Sequence, residues 1–139
     1  MVVGKLPTDE ERAHLAELSL ERRVKYCGVI SDQELSQLYR RVRALIYPSL
    51  YEGFGLPLLE AIACNCPIVA SNIPSTVEVA ENYPVLFHPD EVDDLIEALE
   101  TVWIGNLKAK RNQSWDQLKE RYDWHNNAKM TLELYKSLC

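Results

Sequence analysis

The sequence has 139 residues, a hydrophobic fraction of 47%, a charged fraction of 26% and a formal net charge of −6. These totals fit one globular domain with a real core. The acidic balance argues against nucleic-acid binding, which needs clustered positive charge. No apolar run is long enough to suggest a transmembrane segment, and the first residues lack a secretory signal pattern.

The cysteines match neither a disulfide framework nor a C-x2-C zinc pair. They are Cys27, Cys64, Cys66 and Cys139. The three histidines lie far from them in the sequence and form no ligand pattern. We therefore predict reduced thiols in a cytoplasmic protein, and no metal site.

The first third of the chain alternates between strand and helix patterns. MVVG predicts a short strand, and TDEERAHLAELS predicts a helix with acids in its first turn, where the helix dipole favours them. RVKYCGVI predicts a strand that ends near Gly28. Ser31 and Glu34 then form an S-x-x-E capping box for a helix. The apolar face of this helix is expected at Leu35, Leu38, Tyr39 and Val42.

The middle of the chain continues this alternation. ALIY is a continuous apolar run, which predicts a strand buried on both faces. Pro57 suits the first position of a helix, and Asn65 suits the left-handed residue that ends it. PIVAS and VLFH predict two further strands, separated by a helix that begins at Pro74.

The last third is predicted to be helical. Residues 90–104 form an amphipathic pattern, and residues 106–138 are expected to form C-terminal helices. The apolar side of the first of these helices is predicted at Val92, Leu95, Ile96, Leu99 and Val102. Strands and helices that alternate with short connections predict an α/β fold, a Rossmann-like parallel sheet with helices on both faces, in a single domain.

The stretch EGFGLPLLE, residues 52–60, combines features of a ligand site. It follows the ALIY strand, and in open α/β sheets ligands bind at the carboxyl ends of the strands. Gly53 and Gly55 let the backbone approach a ligand, and the start of the next helix favours a phosphate group. Glu52 and Glu60 can accept hydrogen bonds from sugar hydroxyls. Each feature alone also fits an ordinary strand-to-helix turn; together they favour a binding site.

The run YPSLYEGFGLPLLEAIACNCPIVASNIPSTVEV resembles the donor-binding signature of retaining glycosyltransferases of the GT-B fold. It is most similar to glycosyltransferase family 4, the group 1 family. RVKYCGVISDQELSQLYRRVRALIYPS and DWHNNAKMTLELYKSL resemble the flanking parts of the same domain, so the resemblance covers nearly the whole chain. It implies that residues 1–139 form part of a C-terminal, nucleotide-sugar-binding lobe.

The resemblance also implies roles for individual residues. Glu52 would be the catalytic-site glutamate that contacts the hydroxyls of the donor sugar, and Glu60 would hold the ribose hydroxyls of the nucleotide. Tyr26 would approach the base. Ser49 would lie at the same carboxyl edge of the sheet, and its alternative role is that of a hydroxyl that caps the loop. The loop that faces the sugar and the diphosphate would consist of Gly53, Phe54, Gly55 and Leu56.

Two departures from the family pattern matter. Asn65 stands where the family usually has glycine, and the left-handed conformation tolerates asparagine. The arginine and lysine that neutralise the leaving diphosphate in the family have no counterpart here, and Lys5 does not replace them because MVVGK matches a later strand. Glu78 matches an acidic position of the family, for which helix packing is an equal explanation. We therefore expect a truncated lobe that lacks its N-terminal acceptor domain and is inactive alone.

Other α/β or two-carboxylate proteins fit less well. A glycoside hydrolase places its carboxylates on opposite sides of a sugar, a receiver domain needs aspartates at its strand ends, and a nicotinamide-binding fold needs G-x-G-x-x-G after its first strand. The sequence thus predicts the donor-binding part of a hexosyltransferase that uses a GDP- or UDP-sugar such as GDP-mannose or UDP-glucose, without a metal or other cofactor. The alternative is a non-catalytic nucleotide-sugar-binding module that docks to another chain.

Three further expectations follow from this interpretation. The complete enzyme would serve polysaccharide biosynthesis. It would lie in the cytoplasm, either free or peripheral at the inner face of the membrane. The surface left by a missing lobe would favour self-association.

Overall fold

The computed structural model describes residues 1–105 and 118–138. The chain alternates short parallel strands with helices, and it divides into two compact units, Met1–Leu38 and Tyr39–Cys139. The strands are β1 (Val2–Val3), β2 (Tyr26–Gly28), β3 (Leu45–Tyr47), β4 (Ile68–Ser71) and β5 (Val85–Phe87). The helices are α1 (Asp9–Glu17), α2 (Asp32–Arg41), α3 (Leu56–Ala63), α4 (Pro74–Ala80), α5 (Val92–Ile104) and α6 (Trp124–Ser137).

The first unit contains a two-stranded parallel sheet. Val2 of β1 pairs with Tyr26 of β2, and the two strands are joined through α1. Thr8 begins α1 with a complete capping box: its hydroxyl accepts from the Glu11 amide, and its own amide donates to the Glu11 carboxylate. The predicted box at Ser31 and Glu34 is also present, because each backbone amide donates to the other residue's side chain. Local capping therefore sets both helix starts, and the sequence predicts the one at Ser31.

The second unit contains a three-stranded parallel sheet in the order β3-β4-β5. Every residue of the central strand β4 is buried. The prediction that ALIY is buried on both faces is wrong, because Ile46 of β3 is 49% exposed. In this sheet β3 is an outer strand, so it has less cover than β4.

Helices α3 and α5 both pack on this sheet. Val69 and Phe87 form the core with Ala98 and Val102 of α5. The predicted apolar side of α5 is correct at Leu95, Leu99 and Val102 but wrong at Val92 and Ile96, which are exposed. The buried stripe is thus narrower than the apolar pattern and runs through Ala98.

Helix α3 ends where its sequence predicts and begins one residue earlier than predicted. It starts at Leu56, so Pro57 occupies its second position rather than its first. Leu58, Ala61 and Ile62 are buried along one face. Asn65 lies in the left-handed conformation, with φ of 54°, directly after the helix. Short polar side chains tolerate this conformation better than most.

The C-terminal part is helical where the structure describes it. Residues 118–121 and helix α6 agree with the predicted C-terminal helices, whereas 106–117 lie outside the described residues. Asp123 caps α6 by accepting from the amides of His125 and Asn126. None of the helices in the described ranges is long and apolar enough to cross a membrane. The predicted α/β fold, with parallel sheets flanked by helices, is confirmed.

Candidate functional site

The loop after β3 holds Glu52 by two hydroxyl groups. Tyr47 lies at the end of β3, and both its phenol and the Ser49 hydroxyl hydrogen bond to the Glu52 carboxylate. The Ser49 Oγ to Glu52 Oε1 distance is 2.8 Å. These bonds, that of Tyr47 first, lower the pKa of Glu52, so the side chain is a carboxylate at neutral pH. The Ser49 contact matches the loop-capping alternative, and a contact with a donor stays a prediction.

The two glycines of the loop differ in what the fold requires of them. Gly55 lies at the N-terminus of α3 with φ of 97°, and an added Cβ would lie 3.1 Å from the Leu58 Cδ1 atom. Gly53 has no such constraint from the part of the chain that the structure describes, where an added Cβ would meet nothing within 4 Å. Packing therefore explains a glycine at position 55 and gives no reason for one at position 53.

The backbone of this loop retains hydrogen-bonding capacity. Within residues 1–105 and 118–138, no group accepts a hydrogen bond from the amides of Gly53, Phe54 or Gly55. The Leu58 amide closes the first turn of α3 onto the Gly55 carbonyl at 2.9 Å. Free amides that precede a helix can bind an anion, because the positive end of the helix dipole acts in the same direction.

The side chain of Phe54 anchors the loop to a distant part of the chain. Its ring packs edge-to-face on Tyr122, with centroids 5.5 Å apart and an interplanar angle of 84°. Tyr122 in turn donates a hydrogen bond to the Glu78 carbonyl at 3.4 Å, and Arg121 pairs with Glu81 at 2.8 Å. The ring of Phe54 thus packs the loop against Tyr122, while its backbone amide donates to no group of the described residues.

Glu60 and Leu56 are both exposed on α3. The Glu60 carboxylate accepts a hydrogen bond from the Tyr39 hydroxyl through Oε2, at 3.2 Å. Tyr39 is buried, and this burial is the main cause that raises the pKa of its phenol. The negative charge of Glu60 and the hydrogen bond to Glu60 raise it further. The phenol therefore stays a proton donor to the carboxylate.

The remaining predicted residues lie elsewhere. Tyr26 is a half-buried residue of β2 in the first compact unit. Glu78 is exposed on α4, where its backbone carbonyl accepts a hydrogen bond from the Tyr122 hydroxyl. Among the described residues, no three His, Cys, Asp or Glu side chains cluster as metal ligands. That the activity needs no metal stays a prediction.

Sequence reasoning missed Tyr39 and Tyr47 as partners of the two glutamates. The sequence pattern predicts Tyr39 only as part of the apolar face of α2, and Tyr47 only as the end of a buried strand. The available signal was chemical, because a buried tyrosine needs a partner for its hydroxyl. The sequence did not indicate which residue that partner is.

The sequence matches a known family across most of its length. The model of the family described as "Glycosyl transferases group 1" matches residues 1–131. This chain belongs to that family. The predicted glycosyltransferase membership is thereby confirmed.

Individual relatives of this group 1 glycosyltransferase chain agree with the assignment. O-antigen chain mannosyltransferase B of Escherichia coli is 32% identical over 83% of the chain and 30% of its own length. Sucrose-phosphate synthase from Thermosynechococcus elongatus is 26% identical with a TM-score of 0.80, over 98% of this chain and 37% of that protein. Alr3699/HepE of Anabaena, crystallised with UDP, has the same fold, with 22% identity and a TM-score of 0.80 over 97% of this chain and 40% of its own. The chain therefore spans about a third of the length of the curated relative.

Proposed function

We propose that the chain is the donor-binding part of a retaining hexosyltransferase that takes a nucleoside-diphosphate sugar. The observation that carries this proposal is the arrangement of Glu52 and Glu60 around one loop and helix start. Glu52 is an ionised carboxylate oriented by Tyr47 and Ser49. Glu60 is an exposed carboxylate on α3 with one oxygen bound to Tyr39. The loop between them offers amides, beside the helix N-terminus, that donate to no group in residues 1–105 and 118–138.

Each part suits one part of the donor. The amides of Gly53 to Gly55 and the positive end of α3 would bind the diphosphate. Glu52 would accept hydrogen bonds from the hydroxyls of the sugar, and Glu60 from those of the ribose. The space at Gly53 supports this placement, because no atom of the described residues would lie within 4 Å of a Cβ there. A contact from Leu56 to the diphosphate completes the proposed donor site.

The proposed reaction moves a hexose from the diphosphate to an acceptor hydroxyl with retention at the anomeric carbon. The bond from that carbon to the diphosphate oxygen breaks, a bond to the acceptor oxygen forms, and the acceptor gives up its proton. Mannose is the favoured sugar because the E. coli relative is named a mannosyltransferase, with glucose as the other choice. The chain matches about a third of that relative, so we propose that acceptor binding and the positive charge for the leaving group come from residues outside this match. The chain alone is then expected to bind donor without transferring sugar.

Calorimetric or NMR titration with GDP, UDP, GDP-mannose and UDP-glucose tests the proposal. Glu60→Ala should weaken the binding of nucleotides and nucleotide sugars alike. Glu52→Ala should weaken only the sugar-bearing ligands. Glu97→Ala, which removes an exposed glutamate from α5, is the matched control and should leave every affinity unchanged.

Two outcomes would contradict the proposal. A folded chain that binds none of these ligands at millimolar concentration has no donor site of this kind. If Glu52→Ala and Glu60→Ala change the melting temperature but no affinity, then both glutamates serve the fold alone.

A further inference from the structure

Tyr39 joins the buried core to an exposed carboxylate. Its side chain is 7% exposed, yet its hydroxyl reaches Oε2 of Glu60, which lies on the surface of α3. The two residues are 21 positions apart, so the contact depends on the tertiary fold. A buried ring has few alternative rotamers because its neighbours are close-packed. Its hydroxyl therefore occupies a nearly fixed point beside a side chain that would otherwise be free to rotate.

This contact restricts Glu60 without blocking it. An ionised carboxylate has two oxygens and about four acceptor positions. Tyr39 occupies one position on Oε2, and no other group of the described residues bonds to this carboxylate, so Oε1 can accept from a ligand. Fixing the side chain before a ligand arrives reduces the conformational entropy that binding would otherwise cost.

The other glutamate is held in a similar way, from a different element. Tyr47 and Ser49 bind the Glu52 carboxylate in the loop after β3. Both glutamates of the EGFGLPLLE stretch therefore have a hydroxyl donor, and in each case a tyrosine supplies one. Tyr39 is the more buried of the two tyrosines, and its hydroxyl donates to Glu60.

We propose that Tyr39 is a positioning residue, which orients the Glu60 carboxylate for the two ribose hydroxyls of the nucleotide. This inference rests on the proposed function, because it assumes that Glu60 binds a ribose. It goes further by assigning part of the recognition of the ribose to a core residue that the ligand does not touch. Loss of the Tyr39 hydroxyl should then affect ligands only through their ribose hydroxyls.

The test compares a nucleoside diphosphate with its 2′,3′-dideoxy counterpart. Calorimetry on the 139-residue chain gives the Kd of GDP and of dideoxy-GDP, or of the uridine pair if UDP binds more tightly. Tyr39→Phe keeps the buried ring and removes only the oxygen. It should weaken the ribonucleotide by roughly threefold to tenfold, as expected for one oriented hydrogen bond. The dideoxy compound should change by less than about twofold.

Tyr83→Phe is the matched control. Tyr83 is 8% exposed and donates its hydroxyl to the Cys66 carbonyl at 3.2 Å, so this change also removes a buried phenol oxygen. Both variants should lose a similar amount of stability in urea unfolding. Only Tyr39→Phe should reduce the preference for the ribonucleotide.

A second variant leaves the buried ring intact in case Tyr39→Phe does not fold. Glu60→Asp shortens the exposed side chain, which withdraws the carboxylate from the Tyr39 hydroxyl. It should also reduce the preference for the ribonucleotide by several-fold. A Glu60→Asp chain that binds both nucleotides as the unchanged chain does would contradict the role of Glu60 at the ribose, and with it the inference that Tyr39 orients this carboxylate.

The outcomes separate this inference from the proposed function. If the unchanged chain prefers the ribonucleotide and Tyr39→Phe has the same preference, the inference fails and the proposed function stands. An equal loss of affinity for both nucleotides would mean that Tyr39 has a structural role only. If the unchanged chain binds neither nucleotide, the proposed function fails and the inference with it.

Discussion

Gly55 should be far less tolerant of alanine than Gly53, although the two glycines are only two positions apart. At Gly55 φ is 97°, where a side chain costs about 1–2 kcal/mol. The added Cβ would also lie 3.1 Å from the Cδ1 atom of Leu58, a fully buried side chain. We therefore expect Gly55→Ala to lower the free energy of unfolding by about 2–3 kcal/mol, because the cost of the left-handed backbone and the cost of overpacking against Leu58 add together.

The control is Gly53→Ala, which meets no atom within 4 Å. Its effect on the free energy of unfolding should stay within about 0.5 kcal/mol, whereas it should weaken donor binding because the Cβ enters the proposed diphosphate site. Urea unfolding followed by circular dichroism and tryptophan fluorescence gives both free energies, with equal m-values as the check on two-state behaviour. If the two variants lose the same stability, the left-handed backbone and the Leu58 contact do not carry the cost assigned to them.

Three further predictions concern other parts of the chain. Burial is the main cause that raises the pKa of Tyr47 from 10.0 to about 12, and the hydrogen bond to Glu52 adds to it. The protonated phenol therefore contributes its full stability below pH 10, and this contribution is lost as the pH rises to 12. The absorbance of the folded chain at 295 nm should show a late ionisation that Tyr47→Phe removes. Asn65→Ala should lower the free energy of unfolding by about 1 kcal/mol because φ is 54°, while Asn65→Gly should not lower it, and equal urea midpoints for the two variants would contradict this. Thr8→Ala removes the cap of α1 and should speed amide hydrogen exchange there by roughly fivefold, for a loss of about 1 kcal/mol, whereas Thr8→Ser should leave exchange unchanged.

Local signals in the sequence predict the order and type of the elements well. The capping box at Ser31, the stop at Asn65 and the proline at the start of α4 all depend on neighbours within a few residues. The position of an element within a sheet is not local. Ile46 belongs to an apolar run like that of β4, but β3 is an outer strand of its sheet and leaves that residue exposed.

The candidate site also combines features that are visible in the sequence with contacts that only the fold creates. The spacing of Glu52 and Glu60 in one stretch is visible in the sequence, and so is the helix start between them. The partners of the glutamates follow different rules. Ser49 lies three residues from Glu52, so a local pattern can suggest that contact. Tyr39 and Glu60 are 21 positions apart, so only the tertiary fold brings them together. Residue roles that depend on such distant contacts need the fold before they can be assigned.

The packing of Phe54 on Tyr122 has a consequence for the order in which the chain can mature. During synthesis the N-terminal parts of a protein leave the ribosome first. All three strands of the β3-β4-β5 sheet precede Tyr122 in the sequence, so the sheet can form while the Phe54 loop still lacks its anchor. The loop would acquire its final position only when residue 122 has emerged. A nascent chain would thus complete its β3-β4-β5 sheet before the loop around Phe54 reaches its final position.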